Sequence, residues 1–176
     1  MQQGAILDDY QNVAKTVADW TGVERDIKFR VYNEGLGGPD KVIAALKDCA
    51  VVCLMRERTL FGADIINALP NLKLIVTSGM RNAAIDVGAA AQRNIPVCGT
   101  ESLGHPTAEL TLGLMLELAR KIGHENARLK AGAKWQSTLG ADLNGKTLGI
   151  IGLGKLGSRV ARAAKALDMK VIAWSQ

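Results

Sequence analysis

Three glycines in the run Gly152-Leu153-Gly154-Lys155-Leu156-Gly157 have the spacing with which a backbone turn can hold a diphosphate. The first glycine permits a tight reversal, the second leaves phosphate room to approach main-chain N–H groups, and the third lets the following helix pack close to the strand. The helix N-terminus adds partial positive charge and unpaired N–H donors. Six residues of this kind also occur by chance as a plain strand-to-helix turn, so the flanking sequence decides. An apolar run at 147–152 precedes the motif, and a helix pattern at 158–167 follows, with apolar positions at Val160, Ala161, Ala164 and Leu167. A second apolar run at 171–174 completes a βαβ unit, the context that dinucleotide binding requires. An acidic residue about 20 positions on commonly takes the adenosine ribose 2′-OH. Ser175 stands there instead, and Asp168 falls at the wrong end of the second strand. With no carboxylate to repel a 2′-phosphate, NADP is acceptable beside NAD and slightly favoured.

The elements upstream alternate short apolar runs with helical patterns, as in a parallel sheet covered by helices. Strands are predicted at 5–7, 28–32, 51–55, 72–77 and 95–98, and helices at 10–19, 39–47, 62–69 and 86–92. Pro39 opens one helix and Pro70 stops another. The loop 99–106 changes the texture and precedes a strong helix at 107–121, rich in Leu, Met and Ala. The fold class is therefore α/β: a flavodoxin-like domain over 1–100, then a helix and the first βαβ unit of an incomplete Rossmann domain over 101–176.

Composition narrows the setting. A chain of 176 residues with 48% hydrophobic content buries one good core, or one small domain and part of another. No apolar stretch approaches the roughly 18 residues of a membrane span, and the first residues lack the pattern of a secretion signal. Cys49, Cys53 and Cys98 are odd in number and lie in apolar runs, which suits reduced thiols in the cytoplasm. The net charge of +5 is uneven: residues 1–119 carry −3 and residues 120–176 carry +8. The basic residues are spaced apart and aromatics are only 4% of the chain, which favours a solvated helix face or a small polyanionic ligand over nucleic acid.

Three separated stretches resemble the D-isomer-specific 2-hydroxyacid dehydrogenases, the group of phosphoglycerate dehydrogenase and glyoxylate/hydroxypyruvate reductase. They are LPNLKLIVTSGMRNAAIDVGAAAQRNIPV, HPTAELTLGLMLELAR and LNGKTLGIIGLGKLGSRVARAAKALDMKVIAW. The resemblance runs in one order over about residues 50–174, whereas residues 1–49 carry no diagnostic motif. It implies a first domain that binds the substrate, with backbone N–H groups of Ser78, Gly79, Met80 and Arg81 offered to the substrate carboxylate. Most relatives have a second glycine where Arg81 stands. Arg81 reads either as a bidentate carboxylate ligand or as a solvent-facing loop residue. Arg56, at the end of the third strand, reads as a second residue of that cleft or as a surface ion-pairing group. Thr107 falls where the family places a cofactor contact, and it also suits a helix N-cap. Lys155 and Leu156 match positions whose backbone meets the pyrophosphate.

Reduction of a 2-keto acid needs groups to bind the carbonyl, protonate the alkoxide and set that acid's pKa. The family's Arg, His and Glu for these tasks all match positions downstream, so no catalytic residue and no metal site are assigned here. His105 reads as a loop histidine before Pro106, and His124 as a residue past a helix end. Two predicted strands follow the boundary where a complete nucleotide domain carries about six, so these residues are expected to be part of a larger enzyme and inactive alone. The leading expectation is hydride transfer between NAD(P)H and a small 2-keto acid, giving a D-2-hydroxy acid, in a homodimer. The alternatives are a formate dehydrogenase on the same frame, a non-catalytic NAD(H)-sensing module similar to corepressors, and a remnant that binds nothing.

Overall fold

The computed structural model describes residues 1–175; Gln176, the last residue of the predicted second domain, lies outside the described residues. The chain forms two compact units, Met1–Ser102 and Leu103–Gln176.

In the first unit, β1 (Gln2–Ile6), β2 (Ile27–Val31), β3 (Cys49–Leu54), β4 (Leu74–Thr77) and β5 (Val97–Gly99) form one sheet in the order β2-β1-β3-β4-β5. Every pairing is parallel. This is the flavodoxin-like order, in which the direction of winding reverses between β1 and β3. Four helices lie between the strands: α1 (Thr21–Glu24), α2 (Pro39–Leu46), α3 (Ala63–Ala68) and α4 (Val87–Gln92). The core joins Ala5, Val52, Leu54 and Ile75 on one face of the sheet to Val42 and Leu46 of α2, Ile65 and Ile66 of α3, and Ala89 and Ala90 of α4. Pro39 is the first residue of α2, and the Asp86 carboxylate caps α4 by accepting from Ala89 N at 2.9 Å.

The predicted helix at 10–19 does not form. Asp8 and Asn12 take left-handed backbone angles, with φ of 60° and 53°. The buried Asp9 carboxylate accepts from Val13 N and Ala14 N at 3.0 and 2.8 Å. The Thr16 hydroxyl donates to Val13 O, and the Trp20 indole donates to Ala14 O at 2.7 Å. Side-chain partners thus take the backbone groups that a helix would pair, leaving turns and one helical turn at α1. Trp20 then packs edge-on against Phe29 of β2, with ring centroids 5.2 Å apart.

Phe61, fully buried, links α3's approach to the loop that follows β4. Its N–H donates to Ala84 O at 2.7 Å, and its carbonyl accepts from Asp86 N at 3.1 Å. The segment 78–86 is therefore fixed from below by a core residue.

The second unit contains α5 (His105–Arg120), α6 (Ile122–Lys130), β6 (Thr147–Ile151), α7 (Lys155–Ala166) and β7 (Lys170–Trp174), with β6 and β7 parallel. The predicted helix ending at 121 is a helix pair. Lys121 adopts φ 55° and ψ 38°, which closes α5 and starts α6. His124 accordingly lies inside α6, with its Nε2 3.2 Å from the Ser137 hydroxyl, and not past a helix end. Its neighbour Glu125 holds the loop before β6. One or both carboxylate oxygens accept from Ser137 N, Ser137 Oγ, Thr138 N and Thr138 Oγ1 at 2.7–3.1 Å. The hydroxyl of Thr138, aided by the Ser137 and Thr138 amides, pulls the Glu125 carboxyl down to about 2. Among the described residues no helix is long and apolar enough to cross a membrane.

Replacing Phe61 by Ala is expected to cost about 3–5 kcal/mol of stability in urea denaturation, since it empties a core position. Glu125 binds its loop as a carboxylate, with a folded pKa of about 2 against an ordinary 4.5. That contribution is present above about pH 4.5 and is lost as pH falls towards 2. Trp135 fluorescence is expected to report loop release over this window, and in Glu125→Gln at neutral pH.

Candidate functional site

Parallel strands bring their carboxyl ends to one edge of the sheet, and the first unit's candidate site is built there. After Thr77 the chain turns at Gly79, whose φ is +86°. A Cβ at this glycine would stand 2.1 Å from Arg56 Nη1, so the Arg56 guanidinium lies directly against the turn. A Cβ at Gly99 would stand 2.8 Å from both Gly79 O and Met80 Cα. Glycine is thus required at 79 for its backbone angle and at 99 for the close approach of β5 to the loop.

Of the four backbone donors expected here, two are already used. Ser78 N donates to Leu54 O at 3.1 Å, and Gly79 N donates to Thr100 Oγ1 at 3.0 Å. Thr100 N returns a bond to Gly79 O at 3.3 Å. The N–H groups of Met80 and Arg81 have no acceptor among the described residues. Ser78 and Gly79 therefore shape the turn, while the spare donors of the candidate site are those of Met80 and Arg81. The cause is the sheet's pairing: the parallel β3–β4 ladder extends into Ser78, and Thr100, after β5, fills the position at Gly79.

Asn82, Gly99 and Thr100 brace the candidate site and are not singled out by the sequence. Buried Asn82 donates from Nδ2 to Arg56 O and, at 2.9 Å, to Thr77 Oγ1, while its Oδ1 accepts from Ala84 N at 2.9 Å. Arg56 itself has φ +52°, and its N–H donates to the Ser78 hydroxyl at 3.2 Å. The backbone of Arg56 is pinned on both sides, and its guanidinium has no hydrogen-bond or ion-pair partner among the described residues. Arg81, exposed two residues beyond Gly79, is in the same condition. Arg58 differs: its Nη1 donates to Asp8 O at 2.6 Å and its guanidinium stacks 4.5 Å from the Tyr10 ring centroid. A groove of about 600 Å³ beside the loop, bordered by Met80, Arg81, Asn82, Ile85 and Val97, is of small-ligand size.

In the second unit, Gly152 takes φ +91° at the end of β6, and its N–H donates to Trp174 O at 2.7 Å. The glycine turn and the residue after β7, Ser175, thus lie at the same sheet edge. Asp168, with φ 55°, precedes β7 at the other end of the strand and accepts from Asn144 Nδ2 at 3.4 Å. A Cβ at Gly157 would fall 2.1 Å from Gly152 O, so only glycine lets α7 cross so near the turn. Gly154 is the N-cap of α7, with open space where its side chain would stand and no side-chain cap on the helix.

Helix α7 begins at Lys155, three residues earlier than the predicted 158, so Lys155, Leu156 and Gly157 form its first turn instead of a loop. Its first Ser158 N–H bonds back to Gly154 O at 2.9 Å, which leaves the first-turn amides at an open helix end. An uncapped helix start, a left-handed glycine before it and vacant space at Gly154 fit a diphosphate.

The N-terminus of α5 lies beside this turn. A Cβ on Gly104 would stand 3.3 Å from Leu156 Cδ2, and Arg159 Nη1 is 2.8 Å from His105 Nδ1. His105 is the first residue of α5, not a loop residue, because Pro106 suits the first helical turn. Gly104 is the N-cap, so Thr107 stands inside the first turn and does not cap it. Arg159 was not among the expected site residues; its position four residues after Lys155, on the same helix face, is the signal that could have found it.

Fold and site together define an α/β protein with a parallel-sheet unit followed by a dinucleotide-type βαβ turn. Residues 112–176 match the family model of the D-isomer specific 2-hydroxyacid dehydrogenase, NAD binding domain. The chain is 44% identical to hydroxypyruvate reductase of Thermotoga maritima over 126 residues, which are 70% of this chain and 41% of that protein. It is 38% identical to D-3-phosphoglycerate dehydrogenase of Homo sapiens over 138 residues, 77% of this chain and 26% of that protein. The crystal structure of phosphoglycerate oxidoreductase from Vibrio cholerae superposes with a TM-score of 0.90 at 33% identity, covering 100% of this chain and 56% of the other. Residues 112–176 thus carry the NAD binding domain of the D-isomer-specific 2-hydroxyacid dehydrogenase family, the chain as a whole is similar to members of that family, and it spans less than half the length of these curated relatives.

Two outcomes test the geometry. Gly157→Ala is expected to lower the melting temperature of the second unit, because the new methyl collides with the Gly152 carbonyl. Thr100→Val removes the acceptor of Gly79 N–H, and loss of a bond of about 1 kcal/mol is expected to speed exchange of that amide about fivefold by hydrogen–deuterium exchange.

Proposed function

We propose that the parent protein is an oxidoreductase that reversibly reduces a small 2-keto acid to a D-2-hydroxy acid with NADH or NADPH. The observation that carries this reading is the uncapped start of α7 behind the left-handed Gly152, in a chain whose residues 112–176 match the family's NAD binding domain. The cofactor's pyrophosphate is held by the first-turn amides of Lys155, Leu156 and Gly157, with Gly152 and Gly154 leaving it room and Thr107 and Ser175 as further contacts. When bound, it supplies the hydride that goes to the keto carbon, and one proton completes the alcohol. The first unit, as the substrate domain, orients the acid: the amides of Met80 and Arg81 donate to its carboxylate, with Arg56 and Arg81 as the cationic neighbours. Both histidines present are engaged with neighbours, His105 with Arg159 and His124 with Ser137. The proton donor is accordingly assigned to the part of the relatives' length that this chain does not span.

Ser175 in place of an acid favours acceptance of NADPH beside NADH. A homodimer is the proposed assembly, supported by Leu110, Leu114 and Leu118, which stand exposed at four-residue spacing along α5. Three free cysteines, with burial pushing the Cys53 thiol up to about 11, suit the cytoplasm. Formate dehydrogenase chemistry and a non-catalytic NAD(H) sensor are the alternative outcomes of the test.

The full-length protein is expected to oxidise NADH and NADPH with glyoxylate or hydroxypyruvate, with affinities for the two cofactors within about tenfold of each other. Cofactor binding without turnover of any 2-keto acid would favour the sensor, and strong NADH selectivity would overturn the role given to Ser175. Gly157→Ala is expected to weaken NADH binding at least about tenfold in a fluorescence titration.

A further inference from the structure

We propose that the first unit binds a further small ligand, a carboxylate or phosphate head carried on an apolar body, in a groove over the end of β1. In a sheet of order β2-β1-β3-β4-β5 the winding reverses between β1 and β3, and a crevice opens where the loops on the two sides of that point diverge. The turns proposed for the substrate follow β3 and β4, further along the edge, and leave this crevice without a role. It is a groove of about 410 Å³, within the range of small-molecule sites, between the loop after β2 and the segment after β3.

The lining divides into an apolar part and a donor part. Val42 of α2 and Ile65 of α3, both buried, form the apolar floor, and exposed Leu60 stands at the rim. The donors come from Gly35, Leu36, Gly37 and Gly38, whose N–H groups have no acceptor among the described residues. Helix α2 opens on Pro39, which has no N–H, so these donors belong to the loop and not to the helix end. Gly37 takes φ +92°, and a left-handed residue within such a run lets successive N–H groups form an anion-binding concavity. No carboxylate lines the groove: Asp40 and Asp64, in the first turns of α2 and α3, stand outside it.

Arg58 supplies the charge, and its placement is enforced. Its Nη1 donates to Asp8 O at 2.6 Å, and its guanidinium lies 4.5 Å from the Tyr10 ring centroid. Asp8 is buried in a left-handed conformation, φ 60°, which costs free energy for a residue with a side chain and persists only where its surroundings hold it. The Thr59 and Tyr10 hydroxyls do so by donating to its carboxylate at 2.7 and 3.2 Å. This set of groups fixes one guanidinium at the wall of the groove, and its Nε and Nη2 have no acceptor among the described residues. Those two nitrogens share one edge of the planar group, the edge that meets a carboxylate or phosphate through two parallel bonds. The apolar floor then takes the body of the ligand, which a bare ion does not possess.

The test is an NMR titration of the full-length protein, carrying isotope-labelled glycine, with phenylacetate, phenyl phosphate, inorganic phosphate and benzyl alcohol. Phenylacetate or phenyl phosphate is expected to shift the amides of Gly35, Gly37 and Gly38 saturably, with a Kd below about 1 mM, the two arms telling which head is read. Inorganic phosphate and benzyl alcohol, head and body alone, are expected to bind at least about tenfold more weakly. Arg58→Gln is expected to weaken binding at least about tenfold. Gly38 has φ −68° and open space where a Cβ would stand, so Gly38→Phe is expected to keep native circular dichroism and to abolish binding by filling the groove. Shifts at Gly79 and not at the 35–38 loop, inorganic phosphate binding as tightly as the aryl anions, or undiminished binding in either variant overturns the inference and leaves the proposed function standing.

Discussion

Parallel pairing forces all strands of a sheet to end at the same edge, and the two turns that carry most candidate functional residues of this chain depend on that. In the first unit it brings the turn after β3, which carries Arg56, next to the turn after β4, which carries Gly79 to Arg81. The ladder continues one residue past β4 as Ser78 N bonds to Leu54 O, so the loop leaves the sheet in a set direction. In the second unit the same rule puts the glycine turn after β6 beside the end of β7, joined by Gly152 N to Trp174 O. No antiparallel arrangement of these segments would gather their ends this way.

Around that edge the chain spends polar groups of two kinds. Some are consumed internally to hold shape: Asn82, Thr100 and Ser78 in the first unit, Asp9 and Arg58 further along the edge. Others are left with no internal partner, as are the amides of Met80 and Arg81 and the guanidiniums of Arg56 and Arg81. Buried donors that bond internally rigidify a site, and unpaired donors at its rim give it affinity for anions. The glycines have the corresponding roles in backbone form. Gly79 and Gly152 supply left-handed angles, whereas Gly99 and Gly157 supply space for a close approach.

The parts of this design differed in how well they could be read from residue order. Strands rich in Val, Ile and Leu, and a helix opened by Pro39, were legible because burial and proline geometry act within a short window. The segment after β1 was misread as a helix because its apolar spacing is helical, while Asp9, Thr16 and Trp20 compete for the backbone by side-chain bonds. The break at Lys121 was invisible for a similar reason: a single left-handed residue divides α5 from α6 without changing the helix-favouring composition.

By itself, the sequence determined the alternation of elements, the glycine turn and the presence of arginines near a loop after the fourth strand, since each depends on spacing along the chain. Only the tertiary structure decided which groups are available. Thr100 reaches Gly79 from 21 residues away, Asn82 reaches Arg56 from 26, and Arg159 reaches His105 from 54. Those pairings depend on which strands are neighbours and how closely backbones approach. The physical reason is that a donor's availability is a property of its whole surroundings, and the residues that take or spare it come from distant points of the chain.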